Sequence, residues 1–193
     1  LLSDEGRQIM QLLTKRIKEH MPMPYLTNNA KFCELDFFVD ERVLIPRSPI
    51  AELIEQQFSP WLQEDKVNNI LELCTGSGCI SIAMAYAFPN AFITASDLSL
   101  DALEVAAMNV EAHVVEEEVN LIESDVYQKI PDMKYDLIVA NPPYVCDDEM
   151  STLPEEYHQE PSMALQADDQ GLAIVDRIIN GAKKRLNEGG ILI

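Results

Sequence analysis

The 193 residues include 33 acidic and 14 basic side chains, a net charge of -19, with 47% hydrophobic residues, 24% charged residues and 7 glycines. A chain of this size and makeup can bury about two thirds of its unfolded surface in one full domain plus a small appendage, which excludes a disordered or low-complexity protein. The excess of carboxylates excludes a bare nucleic-acid duplex as partner, because that affinity depends on cations that release counterions; it leaves open whether the acidity steers a basic macromolecule or only keeps the protein in solution.

The amino terminus, LLSDEGRQIM, lacks the basic-then-apolar layout of a signal peptide, and no apolar run approaches the roughly 20 residues that cross a bilayer, so a cytoplasmic protein is expected. Ser3 ahead of Asp4 and Glu5, then Ile9, Leu12, Leu13 and Ile17 at helical spacing, with Lys15, Arg16 and Lys18 in the last turn, predicts a capped amphipathic helix closed by Pro22 and Pro24. KFCELDFFVDERVLI, 31–45, predicts a hairpin around the polar Asp40-Glu41 pair. This module, 1–48, precedes the main domain, 49–193, whose first helix opens at Ser48 and Pro49 and runs through Phe58. From residue 69 strands alternate with helices: ILELC, a helix at 77–88, FITAS, a helix at 99–113, VNLIES, YDLIVA, a helix near 170–187, and ILI. Such alternation specifies an open parallel α/β sheet with helices on both faces, and ligands in such sheets bind beyond the carboxyl ends of the strands.

The chemistry-bearing residues fall at those ends. In ELCTGSGC, 72–79, Gly76 and Gly78 allow a tight turn and close approach of a ligand to amides at the positive end of a helix. Ser81 stands where a dinucleotide fingerprint needs a third glycine, and no lysine follows to make a P-loop. Asp97 ends the second strand, where a carboxylate can accept ribose hydroxyls, and Asp125 ends the third; either alone reads equally as a cap or turn residue. The fourth strand runs into Asn141, Pro142, Pro143 and Tyr144. Two consecutive prolines end a ladder, since neither donates a hydrogen bond. Taken together in one βαβαβ order, these features make the layout of a Rossmann-like class I S-adenosylmethionine-dependent methyltransferase. The four cysteines and three histidines show no metal-ligand spacing and no disulfide framework, so no metal is expected.

Six stretches add a resemblance: VLIPRSP at 43–49, ELCTGSG, SDLS at 96–99, ESD at 123–125, NPPY, and EPSMAL at 160–165. Over essentially its whole length the chain resembles the glutamine methyltransferases of the translation machinery, which methylate a glutamine side-chain amide. NPPY alone is shared with adenine-methylating enzymes; NPPY preceded by VLIPR is more specific. FCELDFFVDERVLIPRSPI, where the release-factor branch has PRPDTE, and Cys74, where that branch has glycine, place the resemblance with the branch that modifies ribosomal protein uL3. The resemblance implies a donor site of Cys74, Thr75, Gly76, Ser77, Gly78, Asp97, Asp125 and Asn141. It also implies an acceptor site of Asn141, Pro142, Pro143 and Tyr144, with Asn141, Pro142 and Tyr144 catalytic. The implied product is S-adenosylhomocysteine and the implied partner a basic large-subunit ribosomal protein, with residues 1–48 serving substrate recognition. Members of the family carry a longer helical segment before residue 1 and two further strands after the fifth, so the chain is expected to be a fragment with an open fifth edge strand.

The corner also has a chemical logic. A carboxamide nitrogen is a poor nucleophile because its lone pair is delocalised. A strand that stops at Asn-Pro-Pro frees the Asn141 side chain and the Pro142 carbonyl to accept both amide hydrogens and aim that pair, and Tyr144 can wall the amide plane. Adenine methylation on a nucleic acid would need a cationic surface that this chain lacks, and a non-catalytic donor-binding subunit has no use for an intact NPPY. Arg47 is expected to form a structural ion pair.

Overall fold

In the computed structural model, which describes residues 3–193, α1 (Asp4–Lys18) is capped by Ser3, whose hydroxyl accepts the Gly6 N–H at 3.2 Å. Pro22 and Pro24 do not close α1. They open a second short helix, α2 (Met23–Thr27), where a missing proline donor is harmless.

The hairpin lies earlier than its sequence pattern suggests. β1 (Ala30–Phe32) and β2 (Leu35–Phe37) pair antiparallel and turn at Cys33 and Glu34, both at positive φ, as a tight two-residue turn requires. Asp40 and Glu41 do not make that turn. Asp40 accepts the Arg42 N–H at 3.1 Å and its guanidinium at 2.7 Å, a local bend between the buried Val39 and Val43. Burial of Phe32, Phe37, Val39 and Val43 decides the register, because a turn at 40 and 41 could not place all four inside. α3 (Ile50–Glu55) is also shorter than expected: Gln57 and Phe58 take positive φ, and this turns Phe58 into the core against Phe88.

The rest is the expected alternation. After a single 3₁₀ turn (Glu64–Lys66) come β3 (Asn69–Leu73), α4 (Cys79–Ala87), β4 (Phe92–Asp97), α5 (Leu100–His113), β5 (Val119–Glu123) and β6 (Tyr135–Ala140). A segment not foreseen as helical then carries α6 (Asp147–Met150), a 3₁₀ turn (Glu155–Gln159) and α7 (Ser162–Leu165), ahead of α8 (Ala173–Arg185) and β7 (Leu186–Leu192). The strands form one parallel sheet in the order β5-β4-β3-β6-β7, so the chain reverses its winding between β3 and β6. Side chains of the central strands divide between two apolar clusters. Ile70, Ile93, Leu137 and Val139 pack with α4, α3 and the hairpin residues Phe32 and Phe37; Leu71, Leu73, Tyr135 and Ile138 pack with Ile178 and Ala182 of α8. A strand covered on both faces needs the uniform apolar run that made β3 and β6 legible. A third cluster seats Tyr25, Val39 and Val43 on Ala102 and Val105 of α5. Among the described residues no helix is long and apolar enough to cross a membrane.

Candidate active site

A cavity of about 570 Å³ opens at the carboxyl ends of β3, β4 and β6, where the winding reverses. Its floor is the glycine turn. β3 leaves the sheet through Cys74 at φ 60°, and the Thr75 N–H donates to the Ser96 carbonyl at 2.9 Å, tying the turn to β4. Gly76 has φ +56°, and a Cβ there would meet nothing within 4 Å; one on Gly78 would come within 3.3 Å of the Ala106 side chain. Gly78 therefore serves packing against α5, whereas Gly76 leaves an open cradle that a side chain would occupy. The left-handed φ of Cys74 explains why a glycine is at ease in that position. Burial pushes the Cys74 thiol up to about 12, so it is a neutral wall and not a nucleophile.

Under the turn lies a residue that sequence reasoning missed. Glu72 is fully buried in β3, and its Oε2 accepts from Thr75 Oγ1 at 2.6 Å, from the Ser81 N–H at 3.0 Å and from the Ser81 hydroxyl. Among the described residues its Oε1 has no hydrogen-bond partner. Ser81, in the place of a third glycine, thus braces the turn from the helix side. The available signal was a lone charge inside an apolar strand run, since an unpaired buried carboxylate is expensive.

Burial pushes Glu72 up from 4.5 to about 7. The folded protein therefore holds this proton more tightly than the unfolded chain, and the stability it brings is complete below about pH 4.5 and lost as pH rises to about 7. The loss should amount to roughly 3 kcal/mol. Glu72→Gln cannot ionise, so urea unfolding of the two proteins should show the parent losing ground to the variant from pH 5 to 8. A parent-to-variant difference that is flat with pH would show that Glu72 titrates as an ordinary glutamate.

Asp97, in the cavity wall, links the turn to the next helix: Oδ2 accepts the Gly76 N–H and Oδ1 the Ser99 N–H, both at 2.9 Å. Capping of α5 falls to Ser99, whose hydroxyl accepts the Ala102 N–H. Burial raises the Asp97 carboxyl above the usual carboxylate range, against the lowering effect of backbone N–H groups of Ser99, Gly76 and Leu98, and its two oxygens together retain acceptor capacity beyond these donors. Asp125 also lines the cavity; it pairs with Arg177 of α8 at 2.7 Å and accepts from Gln128 at 2.9 Å.

Asn141 and Pro143 share this cavity with Thr75, Gly76, Ser77 and Asp97; Pro142 and Tyr144 are not in its lining, and Tyr144 is 64% exposed. β6 keeps its ladder to Ala140, whose N–H donates to Ile193 at 3.0 Å. The prolines then interrupt it, and pairing resumes with the EPSMAL segment: the Tyr144 and Val145 N–H groups both donate to the Leu165 carbonyl, at 3.1 and 2.8 Å. Gly171, at φ +84°, is pressed against this corner, where a Cβ would fall 2.2 Å from the Tyr144 carbonyl oxygen.

VLIPRSP and EPSMAL meet at Arg47, which forms the expected ion pair. Its guanidinium lies 2.7 Å from Glu160 Oε1 and 4.6 Å from the centre of the Tyr157 ring, while Glu160 Oε2 accepts the Ile45 N–H at 3.0 Å.

A parallel sheet wound in this order, with a glycine turn on its first strand, an acid ending its second and an Asn-Pro-Pro corner ending its fourth, is a class I methyltransferase fold. The chain belongs to the methyltransferase small domain family, whose model matches residues 56–158. It is 47% identical over 194 aligned positions to proteins of Francisella tularensis and of Neisseria meningitidis serogroup A, each named ribosomal protein uL3 glutamine methyltransferase. The alignments cover all of this chain and 62% and 64% of those proteins, so it spans less than two thirds of their length. Among solved structures, the hMettl16 catalytic domain in complex with MAT2A 3'UTR hairpin 6 shares the fold with a TM-score of 0.62 at 16% identity, over 94% of this chain and 64% of that one.

Proposed function

We propose that this chain binds S-adenosylmethionine and directs its methyl group to the side-chain amide nitrogen of a glutamine in ribosomal protein uL3, leaving S-adenosylhomocysteine. The observation that carries the reading is one cavity holding both the glycine turn and Asn141, in a chain 47% identical throughout to enzymes named for this reaction.

The residues fit the donor. The cradle at Gly76 admits a ligand against the backbone, and Asp97 and Asp125 can accept from hydroxyl and amino groups. Carboxylates of Glu41, Asp97, Asp101 and Asp168 line the wall, together with Asp125, which is paired with Arg177, while its two arginines, Arg42 and Arg47, are paired with Asp40 and Glu160. That field suits a cation. When bound, the donor supplies an electrophilic methyl on a positively charged sulfur. The Asn141 side-chain carbonyl and the Pro142 carbonyl then accept the two amide hydrogens of the glutamine, which localises the lone pair on nitrogen and aims it. Tyr144 closes over the amide plane as the acceptor enters. No side-chain base is needed for the transfer itself, since the proton can leave afterwards.

The acceptor is a basic protein steered by the acidic surface, in the cytoplasm, with no role for DNA. Mass spectrometry of uL3 incubated with the enzyme and donor should show one methyl on a glutamine side chain, and the KM for uL3 should rise with added salt while donor affinity barely moves. Unmodified uL3 would overturn the assignment; a KM indifferent to salt would remove the steering.

A further inference from the structure

We propose that the Arg47–Glu160 pair is a positioning clasp for the acceptor: it joins segments 43–48 and 160–165 into the acceptor side of the cavity and takes no part in donor binding. This rests on the reading that donor and acceptor amide share the cavity. Both segments line it, through Val43, Leu44 and Pro46 on one side and Pro161, Met163 and Ala164 on the other. They are far apart in the chain, and among the described residues the ion pair and hydrogen bond that tie them both fall on one carboxylate, Glu160.

The Glu160 side chain is 2% exposed, and each oxygen has a partner on the other segment: the Arg47 guanidinium and the Ile45 N–H. A carboxylate so buried cannot lose its cation cheaply, so 43–48 is held wherever Glu160 is held. The planar guanidinium also lies over Tyr157, a geometry that lysine cannot reproduce. Two further pairs, Arg16–Glu156 and His20–Glu155, both at 2.6 Å, tie the same acidic stretch to the end of α1, but they are more exposed and correspondingly weaker.

From Glu160 the connection continues to the corner. Five residues on, the Leu165 carbonyl accepts the Tyr144 and Val145 N–H groups, so a shift of this segment moves the NPPY corner itself. The donor side is held separately, by the Thr75-to-Ser96 backbone bond and by Asp97 on Gly76. Loosening the clasp should therefore degrade acceptor placement and spare the donor.

The test compares Glu160→Gln and Arg47→Lys with the parent in three measurements. These are calorimetry with S-adenosylhomocysteine, steady-state methyl transfer to uL3, and amide hydrogen exchange. Glu160→Gln should raise the KM for uL3 about tenfold while the dissociation constant for S-adenosylhomocysteine stays within about twofold, with Arg47→Lys in between. Exchange should quicken in 43–48 and 160–165 together and stay unchanged in 69–80. Equal weakening of donor and acceptor, or no change in either, would overturn the clasp; a merely structural pair would lower stability without this split. If the parent itself transfers no methyl to uL3, the functional reading fails, and exchange decides the clasp alone: unchanged protection of both segments in both variants would refute it.

Discussion

Replacing Asn141 by alanine should lower methyl transfer about 100- to 1000-fold, the loss seen when one preorganised hydrogen-bonding group is removed from a reacting centre. The fold should hardly notice. Asn141 lies one residue beyond the last ladder bond of β6, and among the described residues its side chain has no hydrogen-bond partner to lose. The two prolines that end the strand remain, and the buried run of Leu137, Ile138 and Val139 is untouched. Donor affinity should fall much less than turnover, because the glycine turn and Asp97 are intact. Single-turnover transfer of labelled methyl to uL3, with unfolding measured in parallel, checks both halves. A near-native rate would mean that the Asn-Pro-Pro corner is only a turn.

The second large effect is expected at Gly171, far in sequence from the residues that carry the chemistry. An alanine Cβ there would lie 2.2 Å from the Tyr144 carbonyl oxygen and 3.0 Å from its carbonyl carbon, and these are backbone atoms that cannot swing aside. At φ +84° the substitution also costs about 1–2 kcal/mol in backbone strain. Either the corner or the 168–172 loop must move, and a displacement of about 1 Å at the acceptor is enough for a roughly 100-fold loss of transfer. Gly189→Ala is the matching control: φ is +78°, yet a Cβ there meets nothing within 4 Å, so it imposes similar strain without the contact. Stability should fall in both variants and transfer only in Gly171→Ala. Equal transfer rates in the two would show that the loop yields and the corner stays in place.

The alternation of strands and helices was legible because it is written in local terms. Strands covered on both faces need continuous apolar runs, and β3 and β6 show them; Ser3 caps α1 within its own turn; Pro142 and Pro143 stop β6 by chain-local sterics. The glycine turn, Asp97, Asp125 and Asn141 could be placed in one cavity because each closes or follows a strand, and all parallel strands point their carboxyl ends the same way. The ion pair of Arg47 was expected, but not its partner.

What the local pattern could not settle was decided by burial across the chain. A polar pair at 40 and 41 looks like a hairpin turn until Phe32, Phe37, Val39 and Val43 must all enter the core, and then the turn falls at Cys33 and Glu34. Glu72 looks like a strand residue at odds with its neighbours until Thr75 and Ser81 fold over it. Glu160 and Ile45 are 115 positions apart, and Gly171 touches Tyr144 only because the EPSMAL segment brings the chain back over the corner. The sequence by itself determined the elements and the strand ends at which chemistry can occur, since sterics and apolar periodicity act between near neighbours. Only the tertiary structure decided which groups brace those ends, because pairing a buried charge or seating a glycine on a distant carbonyl becomes favourable only once the sheet has assembled and water has been excluded.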